Sequence, residues 1–316
     1  MGYVARRVAY LIPVWLGITL LAFVVGQFAP GDPARTLFVH QHLRPPSPPE
    51  LERLRHDLGL DRPVVERYVL SVKDAVRGDL GTSLASGRPV RQELLDRLPA
   101  TLELAGTATL LALVIGLPLG MLAALRRNSA LDQLTRGGAL VAASLPSFWL
   151  AYLLIILFSV KLDVLPSFGR GGLDHLILPA LALGLGEAAF IARLARSTLL
   201  EVLAEDYVTT ARSKGLPERR VIGLHAMKNA LGAVVTQIGL VFGYLFAYAV
   251  VVEVIFVWPG ISRLAYEAIT QRDYPMIQGF VICSGTVFIL VSLVVDLAYQ
   301  RLDPRIALSE QRPVVA

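Results

Sequence analysis

The sequence predicts an all-α protein that crosses a membrane several times. Of its 316 residues, 54% are hydrophobic and only 17% are charged, and the mean hydropathy is +0.58. Soluble domains carry about 25% charged residues, so this chain lacks the polar surface that water requires. Five runs of at least 22 residues contain no charge, and a helix of about 20 apolar residues is long enough to span a bilayer. The composition therefore argues against a soluble enzyme.

Six apolar runs are predicted to span the membrane. The five uncharged runs are Val8–Pro30, Leu104–Leu125, Gly137–Val160, Ala230–Val252 and Tyr274–Val295. The sixth, Leu176–Ala192, is shorter and contains Glu187. Prolines such as Pro13, Pro118 and Pro146 do not rule out these spans, because neighbouring groups in a membrane protein can satisfy the carbonyls that proline frees.

The distribution of basic residues predicts the orientation of the spans. With six spans, both termini lie on one side, together with the 126–136 loop and the 193–228 stretch, and these four segments are rich in Lys and Arg. The two short loops on the opposite face hold only Lys161, Arg170, Arg263 and Arg272. By the positive-inside rule, the first set is cytoplasmic. The modest net charge of +5 is explained by these loops and forms no basic stripe for nucleic acid.

The long segment 31–98 is predicted to be a small helical insertion on the outer side. Ser47-Pro48-Pro49-Glu50 has the spacing of a capping box, and Gly59 ends the helix that follows. A second helix has valines on one face and ends near Gly78; the valines are Val65, Val69, Val72 and Val76. Helices this short must dock on something. They form either a lid over the spans or a docking rim for a partner protein, with Arg55 and Arg67 as its contacts.

The predicted domains follow from these features. Residues 1–30 are the N-terminus and first span, 31–98 the outer helical segment, 99–300 a five-span core, and 301–316 a cytoplasmic tail. The core contains a cytoplasmic segment, 201–229, that is too polar to span and too patterned to be a linker.

The segment 201–229 is predicted to be two helices joined by a glycine turn. Glu205 and Asp206 lie at the start of the first helix and Arg212 at its end, which suits the helix dipole, and Gly215 follows the last turn. Pro217 then opens a second helix. Such an element either transmits a push from a soluble partner into the spans or rests as an amphipathic helix on anionic headgroups.

This segment resembles the coupling loop of ABC importer membrane subunits, whose form is Glu-Ala-Ala, three residues, Gly. Thr209, Thr210, Ala211 and Gly215 occupy the matching positions. The run Asp206-Tyr207-Val208-x-Thr210-Ala211-Arg212-x-Lys214-Gly215-Leu216 is similar to the variant found in the dipeptide, oligopeptide and nickel permease subfamily. Further matches are Pro30-Gly31-Asp32-Pro33, Leu58-Gly59-Leu60, Gly78-Asp79-Leu80-Gly81-Thr82-Ser83, Leu98-Pro99-Ala100-Thr101-Leu102-Glu103-Leu104, Trp258-Pro259-Gly260, Arg272-Asp273-Tyr274-Pro275 and Asp303-Pro304-Arg305. The long outer segment resembles the B-type subunit. Gly232 departs from the pattern, since relatives often have proline there.

The resemblance implies a type I ABC importer transmembrane fold in the inner membrane of a prokaryote. It also implies a heterodimer with a paralogous six-span permease, two ATPase subunits and an extracytoplasmic solute-binding protein. The function implied is import of di- or oligopeptides, with nickel, glutathione and oligosaccharide importers sharing the motifs. The ATPase contacts implied are Glu205, Asp206, Tyr207, Thr210, Ala211, Arg212, Lys214, Gly215, Arg219, Arg220, His225 and Asn229. The chain has no phosphate-binding loop and no catalytic motif, so ATP and magnesium are expected on the partner subunits.

Glu187 is the one carboxylate predicted near the middle of a span. An isolated charge there costs about 2.5 to 3.5 kcal/mol on insertion scales, and Gly184 and Gly186 allow either a close helix or a water path beside it. Glu187 is therefore expected to line the translocation path and meet a cationic group of the cargo, or else to pair with a donor on another helix. In a proton-driven secondary transporter, the alternative class, it would be the proton carrier. No metal site is predicted, since His40 and His42 alone make a weak one.

Overall fold

The structure, a computed structural model, describes residues 2–28, 32–42 and 44–302. The helices, in chain order, are α1 (Gly2–Phe28), α2 (Pro33–His42), α3 (Pro48–Asp57), α4 (Val64–Val76), α5 (Val90–Leu125), α6 (Ala130–Ser144), α7 (Ser147–Leu154), α8 (Leu173–Leu203), α9 (Asp206–Ser213), α10 (Glu218–Arg220), α11 (Met227–Tyr248), α12 (Val250–Ile255), α13 (Ile261–Gln271) and α14 (Tyr274–Leu302). Wider π-helical turns, Ile155–Lys161 and Val221–Ala226, extend α7 and α10. Within the described ranges the extended pairing is limited to a bridge between Thr82 and Pro89. The motif residues Pro30 and Gly31 and the motif Asp303-Pro304-Arg305 lie outside these ranges.

The all-α, multi-span prediction is confirmed. Four described helices are long and apolar enough to cross a membrane: Ala9–Phe28, Val90–Leu125, Leu173–Leu203 and Tyr274–Leu297. Two bent helix pairs bring the number to six if each pair is one span. The predicted span Leu176–Ala192, which contains Glu187, lies within α8, a continuous helix of 31 residues.

The run from Gly137 to Val160, predicted as one span, contains two helices joined by a sharp bend. The chain bends by 103° between Ser144 and Ser147. Pro146 causes the break, because a proline disfavours helical backbone in the residue before it and offers no N–H to the preceding turn. Leu145 is extended, with ψ 123°, and Pro146 becomes the N-cap of α7. Pro13, by contrast, lies inside the unbroken α1.

The chain divides into two compact units. One comprises Met1–Thr101 with Pro259–Leu290, and the other Leu102–Trp258 with Val291–Ala316. In the first unit, α4 packs on α1 through Tyr68, whose hydroxyl donates to the Leu16 carbonyl at 3.1 Å and whose ring meets Phe23 edge-on at 5.5 Å. The valine face predicted for α4 does not make this contact.

Two of the resembling motifs meet at the start of α14 in the first unit. The buried carboxylate of Asp273 accepts hydrogen bonds from the Ser83 hydroxyl and from the backbone N–H groups of Ala85 and Met276, the last two at 3.2 Å. The same side chain therefore caps α14 and holds the turn before α5. This explains why a Gly-Thr-Ser turn and an Asp-Tyr-Pro helix start occur in one chain.

Close helix packing dominates the second unit. A methyl group at Gly120 of α5 would lie 2.3 Å from the Ala192 carbonyl oxygen of α8, and one at Gly184 would lie 2.6 Å from the Ala108 carbonyl oxygen. Such distances are shorter than van der Waals contact, so only glycine permits this approach. Helices α5 and α8 are therefore closely packed, and their ends contact the segment described next.

Candidate functional site

The predicted helix, glycine turn and helix in 201–229 is present. Helix α9 begins after its N-cap Glu205, and Gly215 has the left-handed φ of +75° that its position predicted. The Gly215 N–H donates to the Arg212 carbonyl at 2.9 Å, and the Leu216 N–H donates to the Ala211 carbonyl at 3.4 Å. This pair of bonds is a Schellman motif, which satisfies the last carbonyls of the helix. The corner thus has a defined geometry.

Two apolar clusters anchor the corner. Val208, Ala211 and Val221 are buried against one another, with Leu203 and Leu216 packed on them. On the spanning side, a second cluster joins the end of α8 to α5 and α11; its buried members are Met121, Ala124, Leu199, Ala226 and Ala230. The corner is therefore packed against the ends of the helices that it connects.

The outward side of this corner is polar. Arg212 makes two hydrogen bonds to the Glu218 carboxylate, at 2.8 and 3.2 Å, which raise the pKa of the guanidinium. The Asn229 amide donates to the Tyr207 hydroxyl at 2.7 Å. Most of the other predicted contact residues are exposed: Glu205, Asp206, Thr210, Lys214, Arg219 and Arg220. Ala211 is buried and so supports the corner instead of facing outward, and the side chain of His225 lies outside the described part of the structure.

Glu218 was not among the residues predicted for this site. Its pairing with Arg212 links the two helices across the glycine turn. The sequence could have indicated this pair, because Arg212 and Glu218 have opposite charges and lie six residues apart on either side of the predicted glycine turn.

Glu187 lines a cavity of about 590 Å³ in the second unit. The cavity lies among α6, α7, α8, α11 and α12, and its polar lining includes Arg193, Gln237, Tyr244 and Tyr248. Glu187 is half-buried and makes no ion pair or hydrogen bond with a described residue. Among the described residues, Glu187 therefore does not make the expected pairing with a donor on another helix. It does lie beside an open space.

The two glycines that precede Glu187, Gly184 and Gly186, have different surroundings. Gly184 packs against the α5 backbone, whereas nothing lies within 4 Å of a methyl group built at Gly186, which lines the cavity. Across the cavity, the rings of Tyr244 and Tyr248 are 4.2 Å apart between centroids and inclined by 32°. They form a continuous aromatic wall.

Arg55 and Arg67, the predicted docking residues, line one polar cavity of about 770 Å³ in the first unit. Both have partners within the chain. Arg55 forms an ion pair with Asp32 at 2.6 Å, and the Arg67 guanidinium lies 6.0 Å from the centroid of Phe23. Each side chain therefore has a structural role that the sequence pattern did not reveal.

Two further carboxylates of the second unit lie outside the lining of the Glu187 cavity. Glu103 forms an ion pair with Arg170 at 2.6 Å. Glu253 is fully buried within α12.

Comparison with known proteins places these features in a family. Residues 116–308 match the family described as binding-protein-dependent transport system inner membrane component, and residues 1–105 match its N-terminal family. The dipeptide transport system permease protein DppB of Escherichia coli (strain K12) is 40% identical over 97% of this chain and 98% of its own length. The glutathione transport system permease protein GsiC of the same strain is also 40% identical, over 97% of this chain and 99% of its own length.

The fold is similar to that of solved ABC transporters. An inward-facing structure of the MetNI methionine ABC transporter superposes with a TM-score of 0.57 at 20% identity, covering 66% of this chain and 96% of that one. The 40% identity to the named permeases, over 97% of this chain, confirms the motif resemblance seen in the sequence. This protein belongs to the family of inner-membrane permease components of binding-protein-dependent ABC importers.

Proposed function

We propose that this permease imports short peptides and forms half of their translocation pathway. The observation that carries the proposal is its 40% identity, over nearly full length, to permeases named for dipeptide transport in three different bacteria. The likeness to glutathione permeases is consistent, because glutathione is itself a tripeptide. A short peptide is thus the cargo chemistry that these relatives share.

The segment 201–229 is proposed to receive the motion of an ATPase subunit. Its exposed charges offer a polar docking face, and its two buried clusters connect that face to α5, α8 and α11. The chain itself is proposed to be non-catalytic, with ATP and magnesium bound by two ATPase subunits. A paralogous six-span permease would complete the pathway, and an extracytoplasmic solute-binding protein would deliver the cargo.

The termini and the 201–229 segment are proposed to be cytoplasmic, and residues 31–98 to lie outside. The basic residues support this orientation by the positive-inside rule. The outer cavity lined by Arg55 and Arg67 would then be available to the binding protein, and the Glu187 cavity is proposed to lie along the pathway.

Uptake by the reconstituted transporter tests the proposal. Proteoliposomes with the complete complex, its binding protein and internal ATP should accumulate labelled dialanine and lose this activity without ATP or without the ATPase subunits. Uptake of nickel or of an oligosaccharide in preference to dialanine would contradict the peptide assignment. Uptake by the permeases alone, driven by a proton gradient, would instead identify a secondary transporter.

Glutathione is the second candidate cargo, favoured by the identity to GsiC. Competition separates the two candidates in the same proteoliposomes. A dipeptide transporter should keep most of its dialanine uptake in equimolar glutathione, and a glutathione transporter should lose it.

A further inference from the structure

We infer that the Glu187 cavity is a binding site that reads both ends of a short zwitterionic peptide, with Glu187 receiving the ammonium group and Arg193 the carboxylate. The inference rests on the proposed function and adds to it a site, a ligand orientation and a length limit. It starts from two opposite charges that line one cavity without neutralising each other.

Glu187 and Arg193 both lack an ion pair with any described residue. They lie six residues apart on α8, and helix side chains meet when they are three or four apart, so these two do not face each other. The next arginine of α8, Arg196, is held by the buried Asp132 through bonds of 2.6 and 2.8 Å. Arg193 is therefore the cation of α8 that remains available to a ligand.

The spacing of the two charges selects a ligand length. Six residues of helix advance by about 9 Å, and an extended peptide advances about 3.3 to 3.6 Å per residue. An extended peptide of two or three residues therefore matches the axial separation of Glu187 and Arg193, and the long side chain of arginine can adjust to the end of the ligand. A peptide of four or more residues cannot place both of its ends on these groups while it is extended.

The remaining lining suits a peptide of varied side chains. The Tyr244–Tyr248 wall and the nearby Phe190 and Leu240 offer apolar surface without a shaped pocket, so they accept many side chains. Gln237 adds an amide that can both donate to and accept from a peptide bond. Two fixed charges and an unselective wall are the arrangement expected of a site that recognises peptides by their ends.

Arg136 extends the positive end of the site. It lines a neighbouring cavity of about 570 Å³ together with Arg193 and Arg196. The carboxylate end of the ligand would therefore point toward this cavity, and the ammonium end toward Glu187. The Coulomb attraction between each end of the ligand and the opposite charge of the protein is stronger in a partly dry cavity than in bulk water.

The test measures peptide binding directly, without the binding protein. The complete transporter in nanodiscs is examined by saturation-transfer NMR with four probes: dialanine, N-acetyl-dialanine, dialanine amide and tetra-alanine. The variants are Glu187→Gln and Arg193→Gln. The matched controls are Asp174→Asn, which changes an exposed carboxylate of α8 that does not line the cavity, and Arg127→Gln, which changes an exposed arginine elsewhere.

The inference predicts a crossed pattern of losses. Glu187→Gln should weaken dialanine binding by about tenfold, as for one lost charge-assisted contact, and leave N-acetyl-dialanine unchanged. Arg193→Gln should weaken dialanine to a similar degree and leave the amide unchanged. Tetra-alanine should bind more weakly than dialanine to the wild type, and the control variants should bind all four probes as the wild type does.

Three outcomes would overturn the inference. They are no saturation transfer to dialanine in the wild type, equal losses for all probes in a variant, and loss of the partner permease in Glu187→Gln, which would assign Glu187 to subunit pairing. Dialanine uptake in proteoliposomes separates this failure from failure of the proposed function. Normal wild-type uptake with no crossed pattern rejects only the site, whereas absent wild-type uptake rejects both.

Discussion

Replacing Gly215 with valine should uncouple ATP hydrolysis from transport. Nothing lies within 4 Å of a methyl group built at Gly215, so the substitution meets no steric obstacle from other residues. The cost comes from the backbone alone, because φ is +75° and a residue with a Cβ adopts this region at about 1 to 2 kcal/mol. A β-branched side chain lies at the upper end of that cost.

This energy is large enough to change the fraction of molecules in which the corner at Gly215 keeps its native backbone conformation. One to two kcal/mol corresponds to a factor of about 5 to 30 in an equilibrium. A backbone that leaves the left-handed region loses the Schellman bonds of Gly215 and Leu216 and with them the fixed angle between α9 and α10. Uptake per ATP hydrolysed should therefore fall by about fivefold or more, while membrane insertion is unchanged.

Two further variants separate backbone strain from added bulk. Gly223→Val places the same side chain in the same segment, where the space is also open and φ is not positive. Gly215→Asn retains a residue that tolerates the left-handed region. Coupling should be lost in Gly215→Val, largely kept in Gly223→Val, and largely restored in Gly215→Asn.

Uptake, ATP hydrolysis and the retained ATPase subunits are measured on the same reconstituted samples. Normal uptake with a full complement of ATPase subunits in Gly215→Val would refute the coupling role of this residue. Equal losses in Gly215→Val and Gly223→Val would show that bulk, and not the positive φ, is responsible.

Three more predictions follow from other contacts. Gly120→Val should overpack α5 against α8, at a cost of about 1 to 3 kcal/mol or more, and should lower the thermal midpoint of the complex. Gly106→Val on the same helix meets open space and should leave the midpoint unchanged. Equal midpoints for the two variants would contradict the close packing at Gly120. If the outer helices dock the binding protein, Arg53→Glu should weaken the stimulation of ATPase activity by that protein without disturbing the outer segment. Arg53 is exposed and makes no hydrogen bond or ion pair with a described residue. Arg55→Glu should in addition loosen the outer segment, because it removes the ion pair with Asp32. The hydrogen bond between His56 and Asp61 raises the pKa of the imidazole, so the pair stabilises its turn below about pH 6.5 and this stabilisation is lost as pH rises through the raised pKa. Hydrogen exchange of residues 57–62 should therefore differ between wild type and His56→Gln at low pH and converge at high pH. A difference that is independent of pH would argue against the pairing.

The sequence predicted those features that local chemistry determines. The capping box at Ser47, the helix stops at Gly59 and Gly78, and the corner at Gly215 all appear as expected, and the three glycines have positive φ. Each depends on only a few neighbouring residues. The spans could likewise be found because the length of an apolar run is a local property.

Features that depend on tertiary contacts were missed or misread. Helix α13 was read as part of a short loop, although Ile261, Leu264, Ala265 and Ala268 recur on one face at helical spacing and are all buried. The ion pair of Arg55 joins residues 23 positions apart, so no periodicity reveals it. The sharp bend at Pro146 could not be predicted because the sequence does not show whether neighbouring helices accommodate a proline or the chain turns there.

At the Glu187 cavity, too, the sequence predicted the local feature but not the tertiary contacts. The sequence indicated an unusual carboxylate preceded by two glycines, but it did not show which glycine faces a helix and which faces open space. It also gave no sign that Arg193 shares the cavity. Those facts depend on how α8 is rotated against its neighbours, which is set by packing and not by the α8 sequence alone.

The most direct test of the account is to ask what the exposed corner touches in the working complex. A photo-crosslinking amino acid at position 219, in a transporter that still imports dialanine, should form adducts with an ATPase subunit, and their yield should change when ATP is bound. Adducts with lipid alone, in a complex that retains its ATPase subunits and its uptake, would contradict the proposal that this segment couples hydrolysis to transport.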